Sequence, residues 1–255
     1  MAGFDGYVLT SDENDAIAAR LRAGHQRVQR VDLPGGRVVW IKQVERLHGL
    51  LRWQKGDPAK GFLAERAAIR ALDAAGLPGP VLLDEGPEHM VLADAGPNLE
   101  HLLAQGAWPH EAAQRAFVAV GAALAAVHRA GYAHGRPALR DFCWAEGRLT
   151  MIDLERFKAR RRRLRTQALD VVIFVHSWFA RRNGKEGQTD LLDLALRLYR
   201  ASAPLGAWQA IESWARLLVP LAPLARLVLR FRPHSREVRA LVWSLDYLAR
   251  LDDPA

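Results

Sequence analysis

The texture of the chain changes once, at Gly96-Pro97, and that change constrains the fold more than any single residue. Before it, short runs rich in Val, Ile and Trp alternate with turn residues; after it, the text is mostly helical. Residues 26–33 and 37–43 flank Pro34-Gly35-Gly36, which predicts a β-hairpin. Asp15 to Ala23, ahead of it, reads as a helix. Gly61 to Ala75 predicts a second helix with Leu63, Ala67, Ile69 and Leu72 near one stripe, stopped by Gly76 and Pro78. Pro80 to Leu83 and His89 to Ala93 predict two more strands, parted by Asp84-Glu85-Gly86-Pro87. Beyond the change, Trp108-Pro109 opens a long Ala-rich helix that runs to His128-Arg129 and ends at Gly131. Residues 132–155 read as strand and loop, and helical text resumes at Thr166. In the last helix Val238, Leu241, Val242, Leu245 and Leu248 recur at helical spacing, with Ser235 as cap. The expectation is an α+β chain with a smaller sheet-plus-one-helix domain at 1–95 and a larger helical domain at 96–255.

Composition narrows the function classes. Half the residues are hydrophobic and a quarter charged, which excludes a mainly disordered chain. The single Cys143 excludes an internal disulfide framework and a Cys-based zinc site, and suits a reducing compartment. The balance, 36 − 28 = +8, points to an anionic partner: a nucleotide, a phospholipid, a phosphorylated glycan or a nucleic acid. The longest apolar stretch, Leu217 to Ala225, is nine residues, is broken by Pro220 and Pro223, and sits between Arg216 and Arg226. A membrane-spanning helix needs about 20. Asp12, Glu13 and Asp15 near the start do not fit a signal peptide. The reading is a cytoplasmic chain, with peripheral contact at the inner membrane left open.

Four pieces, in order, carry the chemistry of nucleotide-dependent phosphoryl transfer. Val39-Trp40-Ile41-Lys42 puts a lysine at a strand end, where its ammonium can neutralise two phosphates. Glu65, on the next helix, can orient such a lysine. His134-Gly135-Arg136-Pro137-Ala138-Leu139-Arg140-Asp141 follows the long helix, and Met151-Ile152-Asp153-Leu154-Glu155 lies twelve residues further on. Asp141 and Asp153 reaching one point make an oxygen site for Mg²⁺. Taken singly, each has a bland reading: a solvated lysine, a surface glutamate beside Arg66, a turn aspartate. Order and spacing join them.

These pieces together resemble the protein-kinase-like superfamily, in its branch of lipopolysaccharide core sugar kinases and Bud32-like kinases. The resemblance implies a two-lobed α+β fold, a β-rich N-lobe and a helical C-lobe, and ATP with Mg²⁺ as cofactors. In that frame Lys42 holds phosphates, Glu65 orients Lys42, and Asp141 and Asp153 bind the metal. Ala93-Asp94-Ala95 matches the hinge that meets adenine, with Asn98-Leu99 after it. His134-Gly135 opens the catalytic loop, and Asp153 opens the second metal motif, here Asp-Leu-Glu. Asp170 matches an aspartate on the helix that follows a basic run. The implied activity is phosphorylation of a hydroxyl, first of all on a sugar of lipopolysaccharide or another anionic glycolipid. Arg136 and Arg140 would line the acceptor side.

Three departures qualify the match. Arg136 stands where the loop usually carries the Asp that accepts the hydroxyl proton, and an arginine cannot act as a base. No Gly-rich phosphate loop precedes the hairpin. Trp40 stands where a small residue usually meets adenine, so its indole would crowd the purine or stack on it. The alternatives are therefore a pseudokinase scaffold, or a small-molecule or protein Ser/Thr kinase. Arg156, Lys158, Arg160, Arg161, Arg162, Arg163 and Arg165 place seven positive charges in ten residues. Arg161 and Arg162 are the candidates here for an anionic acceptor or membrane surface; a solvated basic loop is the alternative. No aromatic residue interleaves the run, which argues against nucleic acid. Trp178, Trp208, Trp214 and Trp243 read as core, Trp53 as an exposed contact, Cys143 as buried, and the scattered histidines predict no zinc site.

Overall fold

The computed structural model describes residues 8–45, 58–158, 164–181 and 187–251. The chain divides into two compact units, Met1–Ala95 and Gly96–Ala255.

In the first unit, α1 (Ser11–Ala23) begins one turn earlier than its apolar pattern predicts. Thr10 and Glu13 form a capping box: the Glu13 carboxylate accepts from the Thr10 amide at 2.8 Å, and the Thr10 hydroxyl accepts from the Glu13 amide at 3.4 Å. Strands β1 (Val28–Asp32) and β2 (Val38–Gln43) form the predicted hairpin, with Val31 opposite Val39 and Val28 opposite Lys42. With β3 (Leu82–Glu85) and β4 (His89–Ala93) they make an antiparallel sheet in the order β1-β2-β4-β3. Strand β3 includes Asp84 and Glu85, which the sequence reading assigned to the turn. A bulge between Leu82 and Asp84 shifts the register, and the Gly86 amide closes a tight turn onto the His89 carbonyl at 3.0 Å.

Alternation along β2 decides which side chains are available for chemistry. Val39 and Ile41 point into a core with Ile17, Val31, Leu33 and Val91. Trp40 and Lys42 therefore emerge on the opposite face. Helix α2 (Pro58–Ala74) buries Phe62, Glu65, Ile69 and Leu72, at i, i+3, i+7 and i+10. Ile69 and Leu72 of the predicted stripe are buried, but Leu63 is 48% exposed and Ala67 is exposed, and Phe62 and Glu65 take their places.

The second unit holds α3 (Leu99–Gln105) and α4 (His110–Arg129). A short 3₁₀ turn, Leu139–Asp141, leads into the hairpin of β5 (Phe142–Ala145) and β6 (Arg148–Met151). Helices α5 (Leu164–Ala180), α6 (Asp190–Ser202), α7 (Ala207–Leu218), α8 (Ala222–Phe231) and α9 (Arg236–Arg250) follow. Phe117 of α4 meets Trp178 of α5 edge-on at 5.3 Å, which places Trp178 in the core as expected. Trp208, Trp214 and Trp243 are half-buried, and Trp53 lies outside the described residues. Gly121 lets α4 touch α6 backbone to backbone: a Cβ there would stand 2.2 Å from the Ala195 carbonyl oxygen. Cys143 is buried. In α9, capped by Ser235 as predicted, Val242, Leu245 and Leu248 are buried but Leu241 is 42% exposed. Among the described residues no helix is long and apolar enough to cross a membrane.

Candidate nucleotide and metal site

Lys42 reaches the sheet face left free by Val39 and Ile41. Its Nζ donates to both oxygens of Glu65, at 2.6 and 2.7 Å. The glutamate is nearly inaccessible (side chain 4% exposed), whereas Lys42 keeps 20% of its side chain exposed. The pair therefore fixes the ammonium of a side chain that is still partly exposed. Burial of Glu65 follows from its place in the apolar stripe of α2, between Phe62 and Ile69. Sequence order singles out Glu65 as the partner of Lys42, and the structure adds its place in the buried stripe.

Ala93, Asp94 and Ala95, which the resemblance assigns to a hinge, lie at the end of β4. Ala93 pairs with Val39, the Asp94 amide donates to the Val38 carbonyl at 3.3 Å, and Ala95 is half-buried. The Asp94 side chain is exposed and accepts a 2.7 Å hydrogen bond from the indole N–H of Trp40. The indole thus has a fixed partner just past β4, a contact that sequence spacing did not reveal.

In the second unit, the loop at His134 is held from behind. Asp170 accepts from the His134 amide at 2.7 Å through one oxygen and from the Gly135 amide at 2.9 Å through the other. His128 stands 3.3 Å from the same carboxylate, and its other ring nitrogen meets the Tyr199 hydroxyl at 2.8 Å. Burial, with the Asp170 charge adding, pushes the Tyr199 hydroxyl well above its ordinary pKa. The Gln167 amide donates to the His128 and Tyr132 carbonyls at 2.8 and 3.0 Å. His128, Gln167 and Tyr199 escaped the sequence reading, because they act through tertiary contacts between distant helices. The front of the loop is held too. The His134 ring donates from Nε2 to the Ile152 carbonyl at 3.0 Å, and Ala133 exchanges two backbone hydrogen bonds with Lys158. Gly135, at φ +96°, lies so close to Arg156 that a Cβ would stand 2.1 Å from its carbonyl oxygen.

This loop leads to Asp141, whose side chain is buried while one oxygen accepts from the Ala138 amide at 2.8 Å. Its other oxygen stands 3.7 Å from Arg140 Nε. The Asp141 carbonyl accepts from the Ile152 amide at 2.8 Å, which brings Asp153 alongside. Asp153 is exposed and sits in left-handed backbone, φ 59° and ψ 56°. Burial first, and the Asp153 charge after it, hold the Asp141 carboxyl above the ordinary aspartate pKa. Two neighbouring carboxylates that repel one another, one buried and one exposed, fit a hard divalent cation such as Mg²⁺ that keeps water or phosphate oxygens on its open side. Among the described residues no cluster of three or more His, Cys, Asp or Glu could hold a metal. Arg136 and Arg140 are exposed; Arg161 and Arg162 lie outside the described residues.

Residues 42–193, more than half of the chain, match the profile of the lipopolysaccharide kinase (Kdo/WaaP) family. The chain belongs to this family. The match begins at Lys42 and takes in Glu65, His134, Asp141, Asp153 and Asp170. The α+β architecture, a small antiparallel sheet unit and a larger helical one, is that of a two-lobed kinase-like protein, as the resemblance implied. The sequence is also similar to an uncharacterized protein of Haemophilus influenzae (strain ATCC 51907 / DSM 11121 / KW20 / Rd). The two are 27% identical over 200 residues, which cover 75% of this chain and 81% of the relative. Membership of the lipopolysaccharide kinases makes a kinase the activity class of this chain.

Proposed function

We propose that this lipopolysaccharide kinase family member transfers the γ-phosphoryl group of ATP to a hydroxyl on a sugar of lipopolysaccharide or another anionic glycolipid. The observation that carries the reading is the Lys42–Glu65 pair, a partly exposed lysine held by a buried carboxylate at 2.6 Å. In this role Lys42 binds nucleotide phosphates, and Glu65 fixes where its charge stands. Asp141 and Asp153 hold Mg²⁺, which when bound neutralises phosphate charge. Arg136 and Arg140 bind the anionic acceptor, and Arg161 and Arg162 of the basic run add positive charge for it. The acceptor oxygen forms the new bond to phosphorus as the bond to ADP breaks, and the hydroxyl proton leaves to solvent. With a loose transition state, positioning and charge neutralisation supply most of the rate, so a missing base is tolerated.

Arg136 and the Trp40–Asp94 hydrogen bond favour a second reading, a pseudokinase that binds nucleotide weakly and does not turn it over. Turnover of ATP with Mg²⁺ and a lipopolysaccharide acceptor, in wild type, Lys42→Ala and Asp153→Ala, separates the two. The first reading expects phosphate in the acceptor with wild type only. Equal activity in all three ends the site assignment, and an inert wild type without a Mg-ATP thermal shift favours the scaffold. If position 136 has merely lost its base, Arg136→Asp leaves activity equal or higher; if the arginine binds acceptor, activity disappears.

A further inference from the structure

Helix α8 is inverted with respect to ordinary packing. Its small residues, Ala222 and Ala225, are buried against Val242 and Leu245 of α9. Leu229 packs beside them, but the other large residues face outward: Leu224 is 61% exposed, Leu227 51%, Val228 38% and Phe231 78%. The exposed face continues back through Leu221 and Leu217, at 50% and 58%. Soluble proteins rarely leave so many neighbouring large apolar side chains in water unless the patch has a partner.

Charge identifies the partner. Between residues 216 and 239 the sequence has six arginines, Arg216, Arg226, Arg230, Arg232, Arg236 and Arg239, and one acidic residue, Glu237. Of these, Arg226 is paired with Asp246. An apolar helix face rimmed by arginine is the composition of a helix that lies in a bilayer interface, with leucine and phenylalanine among acyl chains and guanidinium groups at anionic headgroups. A second copy of this chain would bring the same arginines against these, so like charges oppose self-association through this face. The patch lies beyond Asp193, where the family match ends.

We infer that α8, with Leu217 and Leu221 before it, docks the protein on a phospholipid bilayer carrying anionic headgroups. The inference is independent of phosphoryl transfer, and its test uses no nucleotide. The full chain is sedimented with vesicles of phosphatidylcholine alone or mixed with phosphatidylglycerol. Wild type is expected to bind the mixed vesicles and to release as salt rises. Leu224→Gln/Leu227→Gln/Phe231→Gln keeps good helix formers and is expected to weaken binding by about tenfold or more. Arg230→Glu/Arg232→Glu is expected to abolish the preference for phosphatidylglycerol. Leu227→Cys adds an exposed thiol to a chain whose one native cysteine is buried, so a polarity-sensitive dye there should shift to the blue on vesicle addition. Wild-type indifference to both vesicle types overturns the inference. So does unchanged binding by the glutamine variant, which would pass the role to the basic run at 156–165. A dimer in light scattering that the glutamine variant dissolves would make the occupant a second copy, and also overturns it.

Discussion

Helices α2 and α8 depart from the usual sorting of side chains in opposite directions. Helix α2 carries Glu65 at 3% exposure and leaves Leu63 at 48% outside, whereas α8 buries alanines and turns Leu224 and Phe231 to water. Both arrangements cost stability in isolation: a buried carboxylate needs a partner, and exposed leucines forgo burial. In α2 the partner is Lys42. In α8 nothing among the described residues covers the exposed face. The difference separates a polar group organised inwardly for chemistry from an apolar surface organised outwardly for contact.

The largest effect that could break this comparison is at Lys42. Lys42→Ala is expected to lower turnover with ATP by about 10²-fold or more. It strands Glu65 without its cation, so a loss of about 2–3 kcal/mol is expected in urea unfolding. Lys42→Met/Glu65→Leu, apolar on both sides, should recover most of that stability while activity stays lost. If the double variant unfolds as readily as Lys42→Ala, burial of an unpaired charge is not the cause. Next in size is the loop clamp. Asp170→Asn replaces one of two amide acceptors by a donor and is expected to cost about 1–3 kcal/mol. Gly135→Ala meets the Arg156 backbone and an unfavourable φ, with a loss of about 2 kcal/mol or more. Hydrogen exchange at the His134 and Gly135 amides should rise in both variants, and unaltered protection there would contradict the clamp.

A smaller effect is expected at His176, whose ring meets Ser244 of α9 at 3.1 Å. Burial lowers its pKa below the ordinary 6.5. The folded protein therefore resists protonating it, and its contribution is present above about pH 6.5 and lost as pH falls through the lowered folded value. His176→Gln should flatten the loss of stability between neutral pH and about pH 5, read from unfolding midpoints across that range. The smallest effect belongs to α8. The triple glutamine variant should shift unfolding free energy by no more than about 0.5 kcal/mol per site, as exposed positions do. A larger loss would mean that the outward face contributes to the fold, and the contrast with α2 would fail.

Local signals were legible wherever a residue's neighbours in sequence are its neighbours in space. The turn Pro34-Gly35-Gly36 fixed a hairpin, Gly131 ended a helix, and Ser235 capped one. In α2 Ile69 and Leu72 are buried as their spacing predicts, but Leu63 and Phe62 are equally apolar, and only tertiary packing distinguishes them. Strand β3 was placed early because a bulge has no reliable sequence mark. For the candidate site, Lys42, Glu65, Asp141 and Asp153 could be named from order and residue type. Their roles within each unit depended on distances: 2.6 Å for Lys42 to Glu65, and the Ile152–Asp141 backbone link that brings Asp153 alongside.

The sequence alone determined the class of the chain, the strand-rich beginning and helical remainder, and the residue types fit for binding phosphate and a hard cation. These follow from local periodicity and from the chemistry of individual side chains. Tertiary structure alone decided that Glu65 is buried on its lysine, that Asp170 holds the His134 loop, that Trp40 is bonded to Asp94, and that α8 turns Leu224 and Leu227 outward. Burial and pairing are properties of the space between distant segments, and that space exists only once the chain has folded.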